Sequence, residues 1–599
     1  MAGRTHQAIG ATNLQSGKII FNGSSDTFKG FIAIGGVTGV NIYSTEGFTN
    51  EGDIHVTGNH CRLHIGGCNG YIHRYSQKAI LKNSTNSGNI YIGIDEKKSV
   101  VPTTFTVGPY IGGITGSALS SIQGCSNSGN IEWNASMTAE ATSSPHIAGC
   151  IGYAQKVGSL AIDTTFSDLT NSGDITVKGD LGKCELKVGG IAGYVYASST
   201  QNNLYNKGNI DIEITGGTGH HRVGGIAYGI RNAISDCVND GNITIKGTFG
   251  KSLYVGGIVM NANGYARTNL TNNGDILVDA ATINTDCFVG GMCYDLANGN
   301  ITYSNCHNTG DITVTNKCHV KGSIALGGLI AKFATEKERK TFKACSNSGN
   351  VTSGAKNNGA TRLGGLIGYQ SAGTIMISEG FVNSGNVTHT GSTDGADAIY
   401  VAGVAGYISE AAAITYEASG VTNTWTGEIV NTGTMSIAGT SMGGKCYIAG
   451  IVGSLNTNSL PATAHYVNTG KLVLSGSTGS KNGVRGPLYM GGIVGLSTNS
   501  SVENAEVHCT IEAVEDGDLG MIFGTPRSET VVAKNCKIGG VIRTVSTYEN
   551  SQGDTVTGLH DNPVITAENF HEHIYAGTTD WSGVTDYDGC SFLSVKPTI

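Results

Sequence analysis

The chain has 599 residues, a formal net charge of −8, and 91 glycines but only 8 prolines. Glycine is about twice as frequent as in average proteins, yet isoleucine and valine recur at fixed offsets, unlike in disordered glycine-rich sequence. The mild negative charge and the absence of a basic run argue against nucleic acid as a partner. No apolar stretch of about 18 residues predicts a transmembrane segment.

A phrase of the type Asn-x-Gly-(Asn/Asp)-(Ile/Val) recurs along most of the chain. It begins at Asn50, Asn86, Asn171, Asn206, Asn239, Asn272, Asn308, Asn347 and Asn383, and in looser form at Asn431 and Asn468. Between its copies stands a second phrase, apolar-(Gly/Ala)-Gly-apolar-x-Gly, as in V-G-G-I-A-G at Val188. Repetition of this kind is typical of a solenoid, in which each coil stacks on the next.

Pairing the two phrases gives twelve units, from near Ile34 to the unit that begins near Ile448, followed by two degraded units. The spacing of successive asparagines varies from 33 to 48 residues. Constant phrases separated by variable lengths predict strands in fixed register, with loops of variable length along one edge.

The unit that begins at Val223 illustrates the predicted coil. V-G-G-I-A-Y, I-S-D-C-V-N and N-I-T-I-K read as three strands, and Ile243 and Ile245 alternate with Thr244 as on a sheet with one buried face. Asn239-Asp240-Gly241 supplies the corner, because Asn and Gly tolerate the left-handed conformation. The sequence therefore predicts an all-β parallel β-solenoid of about 12–14 units with three strands per coil. Two smaller coils per unit remain an alternative.

The two ends of the chain differ from the repeats. We expect residues 1–30 to form an N-terminal cap, 31–541 the solenoid, and 542–599 a C-terminal cap, because stacked strands need covered ends. In the last region, T-A-E-N-F-H-E-H-I-Y-A-G predicts a short helix with Thr566 as its N-cap and Gly577 as its C-cap.

Fifteen cysteines occur without a C-x-x-C pair. Cys125, Cys237, Cys306 and Cys345 stand where other units have Leu or Phe, so we expect buried thiols that replace core aliphatics. Cys306 and Cys345 occupy adjacent units, and spacing alone puts them within disulfide range.

The paired phrases G-G-I-x-G and C-x-N-x-G-x-I, the latter as C-S-N-S-G-N-I at Cys125, resemble the GLUG-type repeats of bacterial surface proteins. The resemblance covers roughly Phe31 to Val541, and Y-D-G-C-S-F-L near the end is similar to secreted or surface proteins of gut Bacteroidetes. It implies an exported, adhesin-like or cell-envelope β-solenoid, although the first ten residues lack the apolar core of a signal peptide. The family has no catalytic motif to transfer.

No catalytic, cofactor or metal residues are predicted. The position after the motif glycine is Asp in some units and Asn in others, as at Asp53, Asp174, Asp275 and Asp311 against Asn89, which indicates a turn position rather than a carboxylate pair. Adjacent residues on a strand face opposite sides, so His220 and His221 should not share a metal.

Recognition is therefore expected in the longer inter-phrase loops, 95–106, 136–145 and 411–426, with Phe105, Tyr416 and Trp425 as candidate contacts or as residues packed on the coil beneath. The expected function is a non-enzymatic, secreted or cell-surface adhesin, scaffold or spacer that binds a glycan or protein. The alternatives are a polysaccharide-binding or polysaccharide-degrading β-helix and a phage-fibre-like trimer, and the oligomeric state stays open.

Overall fold

The structure is a computed structural model with two compact units. Unit 1 comprises Met1–Asp286 with Met292–Ala297, and unit 2 comprises Cys287–Gly291 with Asn298–Ile599. The residues described are 4–5, 8–25, 30–73, 80–154, 164–196, 201–262, 266–294, 300–333, 339–393, 397–409, 412–416, 428–441, 444–456, 460, 464–477, 480–481, 484–498, 501–527, 531–549, 552, 554–575 and 589–597.

Each unit is a parallel β-solenoid whose strands form three main sheets. The strands of the first sheet end at the glycine pair. In unit 1 they are Phe31–Gly35, Arg62–Gly66, Tyr110–Gly112, His146–Ala148, Lys187–Gly189, His221–Gly224 and Leu253–Gly256. In unit 2 they are Cys287–Gly290, Ile324–Gly327, Thr361–Gly364, Ile399–Ala402, Cys446–Ala449, Leu488–Gly491 and Asp518–Gly520. The fourteen strands match the predicted number of repeat units.

In each unit, a second sheet is formed by the strands that follow the glycine pair. In unit 1 these are Arg4–Thr5, Thr38–Asn41, Asn69–Ile72, Thr115–Ala118, Ile151–Ala154, Ala192–Val195, Ala227–Ile230 and Val259–Ala262. In unit 2 they are Ile330–Phe333, Ile367–Gln370, Ala405–Ile408, Val452–Leu455, Val494–Ser497 and Phe523–Pro526.

The third sheet contains the strands on either side of the Asn-x-Gly corner. In unit 1 they are Ala8–Ile9, Thr12–Asn13, Ile19–Ser24, Thr45–Glu46, Thr49–Asn50, Ile54–His60, Ile80–Lys82, Thr85–Asn86, Ile90–Ile92, Thr104–Phe105, Ser121–Gln123, Ser126–Asn127, Ile131–Asn134, Ser136–Met137, Phe166–Asn171, Ile175–Asp180, Gln201–Asn206, Ile210–Thr215, Ile234–Asn239, Ile243–Phe249, Arg267–Asn272 and Ile276–Ile283.

The third sheet of unit 2 has the same pattern. Its strands are Ile301–Asn308, Ile312–Val314, His319–Val320, Arg339–Lys343, Cys345–Asn347, Val351–Ser353, Lys356–Asn357, Gly373–Ile377, Phe381–Asn383, Val387–His389, Ser392–Thr393, Ala412–Tyr416, Glu428–Asn431, Met435–Ile437, Thr440–Ser441, His465–Asn468, Leu472–Leu474, Ala505–Ala513, Lys537–Glu549, Thr555–Val564 and Ser591–Phe592. Two small sheets pair Ser480–Lys481 with Val484–Arg485 and Val502–Glu503 with Ala533–Lys534.

The glycine-pair phrase, expected to be one short strand, is itself a corner. Gly224 ends one strand and Ala227 begins the next. A Cβ added to the intervening Gly225 would lie only 2.5 Å from Cγ of Asn239 and 2.0 Å from the carbonyl oxygen of Gly257. The two repeated phrases therefore meet in space, because the second glycine leaves room for the amide of the motif asparagine.

The motif asparagines of successive coils form an amide ladder, as in-register stacking of identical side chains allows. In unit 1, hydrogen bonds of 2.7–2.9 Å from Nδ2 to Oδ1 of the next asparagine join Asn13, Asn50, Asn86, Asn127, Asn171, Asn206, Asn239 and Asn272. In unit 2, bonds of 2.8–2.9 Å join Asn308, Asn347, Asn383, Asn431 and Asn468 in the same way. The ladder ends there because the next register partner of Asn468 is Val507.

The core lies inside the coils and is aliphatic. Ile243 and Ile245 are fully buried and pair in register with Ile210 and Ile212 of the preceding coil. All fifteen cysteines are thiols, and all but Cys590 are buried. The prediction that cysteine replaces core aliphatics is confirmed, since a thiol behaves as a small buried hydrophobe.

The segments predicted as caps pair with the coils beside them. In the N-terminal region, Ile19–Ser24 runs parallel to Ile54–His60 in register. In the C-terminal region, Thr555–Val564 pairs antiparallel with Lys537–Glu549. The predicted helix is a single 3₁₀ turn, Phe570–His573.

The 3₁₀ turn ends at His573 because the backbone there hydrogen-bonds to the solenoid. Met521 N donates to His573 O at 2.8 Å, and Ile522 N donates to Ile574 O at 3.2 Å. Gly577, the predicted C-cap, lies outside the described residues. Within the described ranges, no helix is long and apolar enough to cross a membrane.

Candidate binding surface

The aspartates that follow the motif glycine have a structural role. Oδ1 of Asp53 accepts the backbone N–H of Asn89 at 2.9 Å, and Oδ1 of Asn89 accepts that of Asn130 at 2.9 Å. Asp174 and Asp311 accept the corresponding N–H groups of the next coils at 2.8 and 2.7 Å. Only an acceptor oxygen is needed at this position, which explains why Asp and Asn interchange there.

A second column of acidic residues lines a cavity of about 480 Å³ on the third sheet of unit 1. Its carboxylates already accept hydrogen bonds from amides of the next coil. Asn203 Nδ2 donates to Asp168 at 2.8 Å, and Asn269 Nδ2 donates to Asp236 at 2.7 Å. Across the described part of the chain, no group of three or more His, Cys, Asp or Glu side chains is placed to hold a metal ion.

The two adjacent histidines, His220 and His221, lie in different environments. His221 is fully buried, and its Nδ1 lies 3.2 Å from the backbone N of Leu186, whereas the ring of His220 stacks on Tyr254 at 5.1 Å. Burial lowers the pKa of His221 from 6.5 to about 4. The buried imidazole of His221 is therefore neutral near pH 7.

The candidate loop aromatic Phe105 packs on the coil beneath. It is fully buried, and its ring stacks on Trp133 at a centroid distance of 5.0 Å. The side chains of Tyr416 and Trp425 lie outside the described residues. Phe105 therefore belongs to the core and not to an exposed recognition loop.

Sequence reasoning missed a stripe of aromatic side chains where the first and second sheets meet. In unit 1, two register columns contribute to it. The first-sheet column runs through His64, Tyr110, His146, Lys187, Arg222 and Tyr254. The second-sheet column runs through Tyr71, Ser117, Tyr153, Tyr194, Gly229 and Asn261. These two columns, with Tyr228, are called the unit 1 stripe.

The tyrosine rings of the unit 1 stripe stack on one another. Tyr110 and Tyr153 have centroids 4.8 Å apart, Tyr153 and Tyr194 are 5.8 Å apart, and Tyr194 and Tyr228 are 5.7 Å apart. Tyr153 and Tyr194 stack because they are register partners on parallel strands about 5 Å apart, whereas Tyr110 contacts Tyr153 from the first sheet. Burial raises the pKa of Tyr153 and Tyr194. Tyr110, Tyr153 and Tyr194 are only partly buried, so part of each ring faces solvent.

His146, on the first sheet, packs against these stacked tyrosine rings. Its ring contacts Tyr110 at 5.0 Å and Tyr153 at 5.1 Å, and its Nδ1 lies 3.2 Å from the hydroxyl of Tyr228, which belongs to the second coil further on. Burial, with smaller contributions from Lys187 and Arg222, lowers the pKa of His146 well below its usual value. The neutral ring can therefore accept from Tyr228 across two coils.

Basic side chains lie beside the tyrosine rings of the unit 1 stripe. Lys187, Arg222 and Arg231 line a cavity of about 270 Å³ together with Tyr194 and Tyr228. Arg231 is exposed, and its guanidinium lies 5.9 Å from the ring centroid of Tyr194.

Lys187 and Arg222 share one carboxylate. Glu185 lies 2.6 Å from the Arg222 guanidinium and 3.3 Å from Lys187 Nζ. Burial alone would raise the pKa of Glu185, but the two cations hold it below its usual value. Arg231 is thus the more available cation for a ligand.

Unit 2 repeats this surface with its own residues. Its first-sheet column includes Phe288, Arg362, Tyr400, Tyr447 and Tyr489, and its second-sheet column includes Lys332, Tyr369 and Tyr407. These residues are called the unit 2 stripe. The Tyr400 and Tyr447 rings stack at 4.6 Å, and those of Tyr447 and Tyr489 at 5.2 Å.

Arg362 lies at the centre of three rings in the unit 2 stripe. Its guanidinium is 4.2 Å from the centroid of Tyr369, 5.4 Å from Tyr407 and 5.9 Å from Tyr400. Such contacts hold the guanidinium plane in place at little cost to its hydrogen-bonding capacity. An oriented cation among half-buried rings can bind a planar or anionic group.

A signal for the stripes exists in the sequence. Tyrosine stands two residues before the glycine-pair position in Y-I-G-G at Tyr110, Y-V-A-G at Tyr400 and Y-M-G-G at Tyr489. It also follows the last glycine of the phrase at Tyr153 and Tyr369. The pattern becomes informative only once the phrase is known to be a corner, because the two positions then face each other.

The chain matches no protein-family model, no curated protein and no solved structure.

Proposed function

We propose that this chain is a non-enzymatic, adhesin-like binding scaffold that holds an extended carbohydrate along the stripe of each unit. The observation that supports the proposal is the repetition of partly exposed tyrosine rings with arginines among them in each unit, as at Tyr194 with Arg231 and at Tyr369 with Arg362. A repeating ligand would meet the same contact on successive coils, so that weak contacts add up to useful affinity.

The chemistry of the stripes favours a sugar chain that includes acidic groups. The C–H faces of sugars pack on aromatic rings, while phenol hydroxyls hydrogen-bond to sugar hydroxyls. Arginine binds carboxylate or sulfate groups through two parallel N–H donors. Nucleic acid, which also combines stacking with positive charge, fits poorly with a net charge of −8.

The proposed location is the bacterial cell surface or the secreted fraction, on the basis of the GLUG-type resemblance of the repeats. The alternatives are a polysaccharide-degrading β-helix and a phage-fibre-like trimer. They differ in products and in assembly, which makes each of them an outcome of the test below.

The experiment is an array of neutral, uronic-acid and sulfated polysaccharides probed with the purified full chain, followed by titration calorimetry. We expect retention by an acidic polysaccharide. Arg362→Ala and Arg231→Ala should each weaken binding about tenfold, equivalent to about 1.4 kcal/mol. The matched control is Lys178→Ala, a half-exposed cation of the third sheet that pairs with Glu213 at 3.4 Å and contacts neither stripe.

If Arg362→Ala, Arg231→Ala and Lys178→Ala all bound the polysaccharide with the same affinity, the stripes would not be the binding surface. Release of new reducing ends from any polysaccharide would favour the degrading enzyme. A trimer by light scattering that binds no glycan would favour the fibre.

A further inference from the structure

Two cysteines meet where the C-terminal segment joins the solenoid of unit 2. Ser591–Phe592 runs parallel to the start of Lys537–Glu549, with Lys537 opposite Ser591. The backbone N of Ser591 donates to the carbonyl of Cys536 at 2.9 Å. This register places Cys590 directly beside Cys536, and neighbouring strands are about 4.8 Å apart, within the Cα range of a disulfide.

The two thiols also point the same way. Cys536 Sγ lies 3.2 Å from the carbonyl oxygen of Lys534, and Cys590 Sγ lies 3.5 Å from that of Ala533, the preceding residue of the same strand. The thiols are in hydrogen-bonding contact with each other. Both the backbone register and the side-chain direction therefore suit a covalent bond between them.

We propose that Cys536 and Cys590 form an intramolecular disulfide under oxidising conditions and so fasten the segment at Ser591–Phe592 to the last solenoid strands. Exposure distinguishes this pair from the other neighbouring thiols. Cys590 is partly exposed and is the only cysteine that is not buried, whereas Cys536 is fully buried behind it.

The order of reaction follows from that difference. The thiolate of Cys590 attacks a sulfur of glutathione disulfide, which releases one glutathione thiolate and leaves a mixed disulfide. The Cys536 thiolate then attacks Sγ of Cys590 and releases the second glutathione thiolate. The two cysteine protons pass to the two released thiolates, so one glutathione disulfide is reduced while the two cysteines are oxidised. Contact with Cys590, together with burial, raises the pKa of Cys536, which leaves the more exposed thiol as the first to react.

The chain contains a matched control pair. Cys306 and Cys345 are register neighbours in the third sheet of unit 2, because His307 pairs with Ser346, and their side chains are also in hydrogen-bonding contact. Both are only 1% exposed. They have the same strand relationship without access for an external disulfide.

The experiment treats the folded, reduced full chain with glutathione disulfide, then unfolds it in N-ethylmaleimide and maps the peptides by mass spectrometry. We expect a peptide pair joined through Cys536 and Cys590, with a mass two hydrogens below the sum, while Cys306 and Cys345 carry the maleimide. Cys590→Ser should abolish the cross-link and leave Cys536 fully maleimide-labelled.

Three results would overturn the proposal: both thiols fully labelled after prolonged oxidation, Cys590 stopped at the mixed disulfide, or Cys590 joined to a second chain. A cross-link at Cys306–Cys345 that forms as fast as the one at Cys536–Cys590 would also overturn it, because exposure would then not select the pair. The wild-type result decides the matter even if a variant folds poorly.

Discussion

Nδ2 of Asn206 donates to Oδ1 of Asn239 in the next coil at 2.8 Å, and the same Nδ2 group donates to the carbonyl oxygen of Gly208 at 2.9 Å. Oδ1 of Asn206 accepts from Asn171 at 2.9 Å. Asn206 therefore uses two donors and one acceptor in a fully buried position. Aspartate has no such donors, which explains why this position stays Asn while its neighbour after the glycine alternates with Asp.

Replacement of a ladder asparagine should destabilise the stack. Asn206→Ala leaves one N–H of the Asn171 amide and the side-chain oxygen of Asn239 without partners in a buried site, and we expect a loss of about 3 kcal/mol. Lys246→Ala, at an exposed position of the next coil, is the control and should change stability by less than about 0.5 kcal/mol. Urea denaturation followed by circular dichroism measures both, and equal losses would contradict a special role for the ladder.

The second glycine of each pair should not tolerate a side chain. In Gly365→Ala the new Cβ would lie 2.2 Å from Cγ of Asn383 and 2.2 Å from the carbonyl oxygen of Gly403. We expect a loss of about 3 kcal/mol through overpacking. At Gly380 an added Cβ would meet no atom within 4 Å, so Gly380→Ala should be neutral or slightly stabilising. Thermal unfolding compares the two, and an unchanged midpoint for Gly365→Ala would refute the close approach.

Acid should weaken unit 2 through His389. This fully buried histidine has its pKa lowered by burial from 6.5 to about 4. Below pH 6.5, His389 binds a proton in the unfolded chain but stays neutral in the folded chain until about pH 4, so protonation favours unfolding. The stability that the neutral, buried ring contributes is therefore complete above pH 6.5 and is lost as the pH falls towards 4. The loss amounts to about 3 kcal/mol at most.

His389→Leu should flatten that dependence, since the neighbour of His389 in register is Ile437. Denaturation midpoints at pH 7.5, 5.5 and 4 provide the measurement. His571→Leu, at a side chain that is 39% exposed, is the control and should keep the wild-type slope. If His389→Leu also keeps the wild-type slope, other buried groups dominate the acid response.

Phe105 should matter for stability and not for binding. Because its ring is fully buried against Trp133, Phe105→Ala should cost about 3–5 kcal/mol. Its neighbour Thr104, whose hydroxyl makes an exposed 2.8 Å hydrogen bond to Asn59, supplies the control Thr104→Ala. Calorimetry with the ligand found on the array would show unchanged affinity for both variants, and loss of binding without loss of stability would return recognition to the 95–106 loop.

The periodic phrases were sufficient to predict most of the fold. The apolar alternation at Ile243 and Ile245 and the replacement of aliphatics by Cys237 depend on local pattern, and the structure confirms both. The strand does end at Asn239, but the left-handed conformation expected at Asn239–Gly241 occurs instead at Asp236, with φ of 54°. The division of the glycine-pair phrase into two strands was not predicted, because it depends on the close approach of Gly225 to Asn239, which belongs to the other repeated phrase. The C-terminal helix was overestimated because backbone pairing with Met521 and Ile522 competes with helical hydrogen bonds.

The sequence by itself determined that the chain stacks in register, because equivalent apolar and asparagine positions are only satisfied by a neighbour with the same pattern. Only the tertiary structure decided which residues face one another across a corner. It placed Tyr153 beside Tyr110 and Arg362 among three tyrosines, and it buried Phe105. The physical reason is that stacking depends on the repeat, which is visible along the chain, whereas a surface depends on how sharply each corner bends.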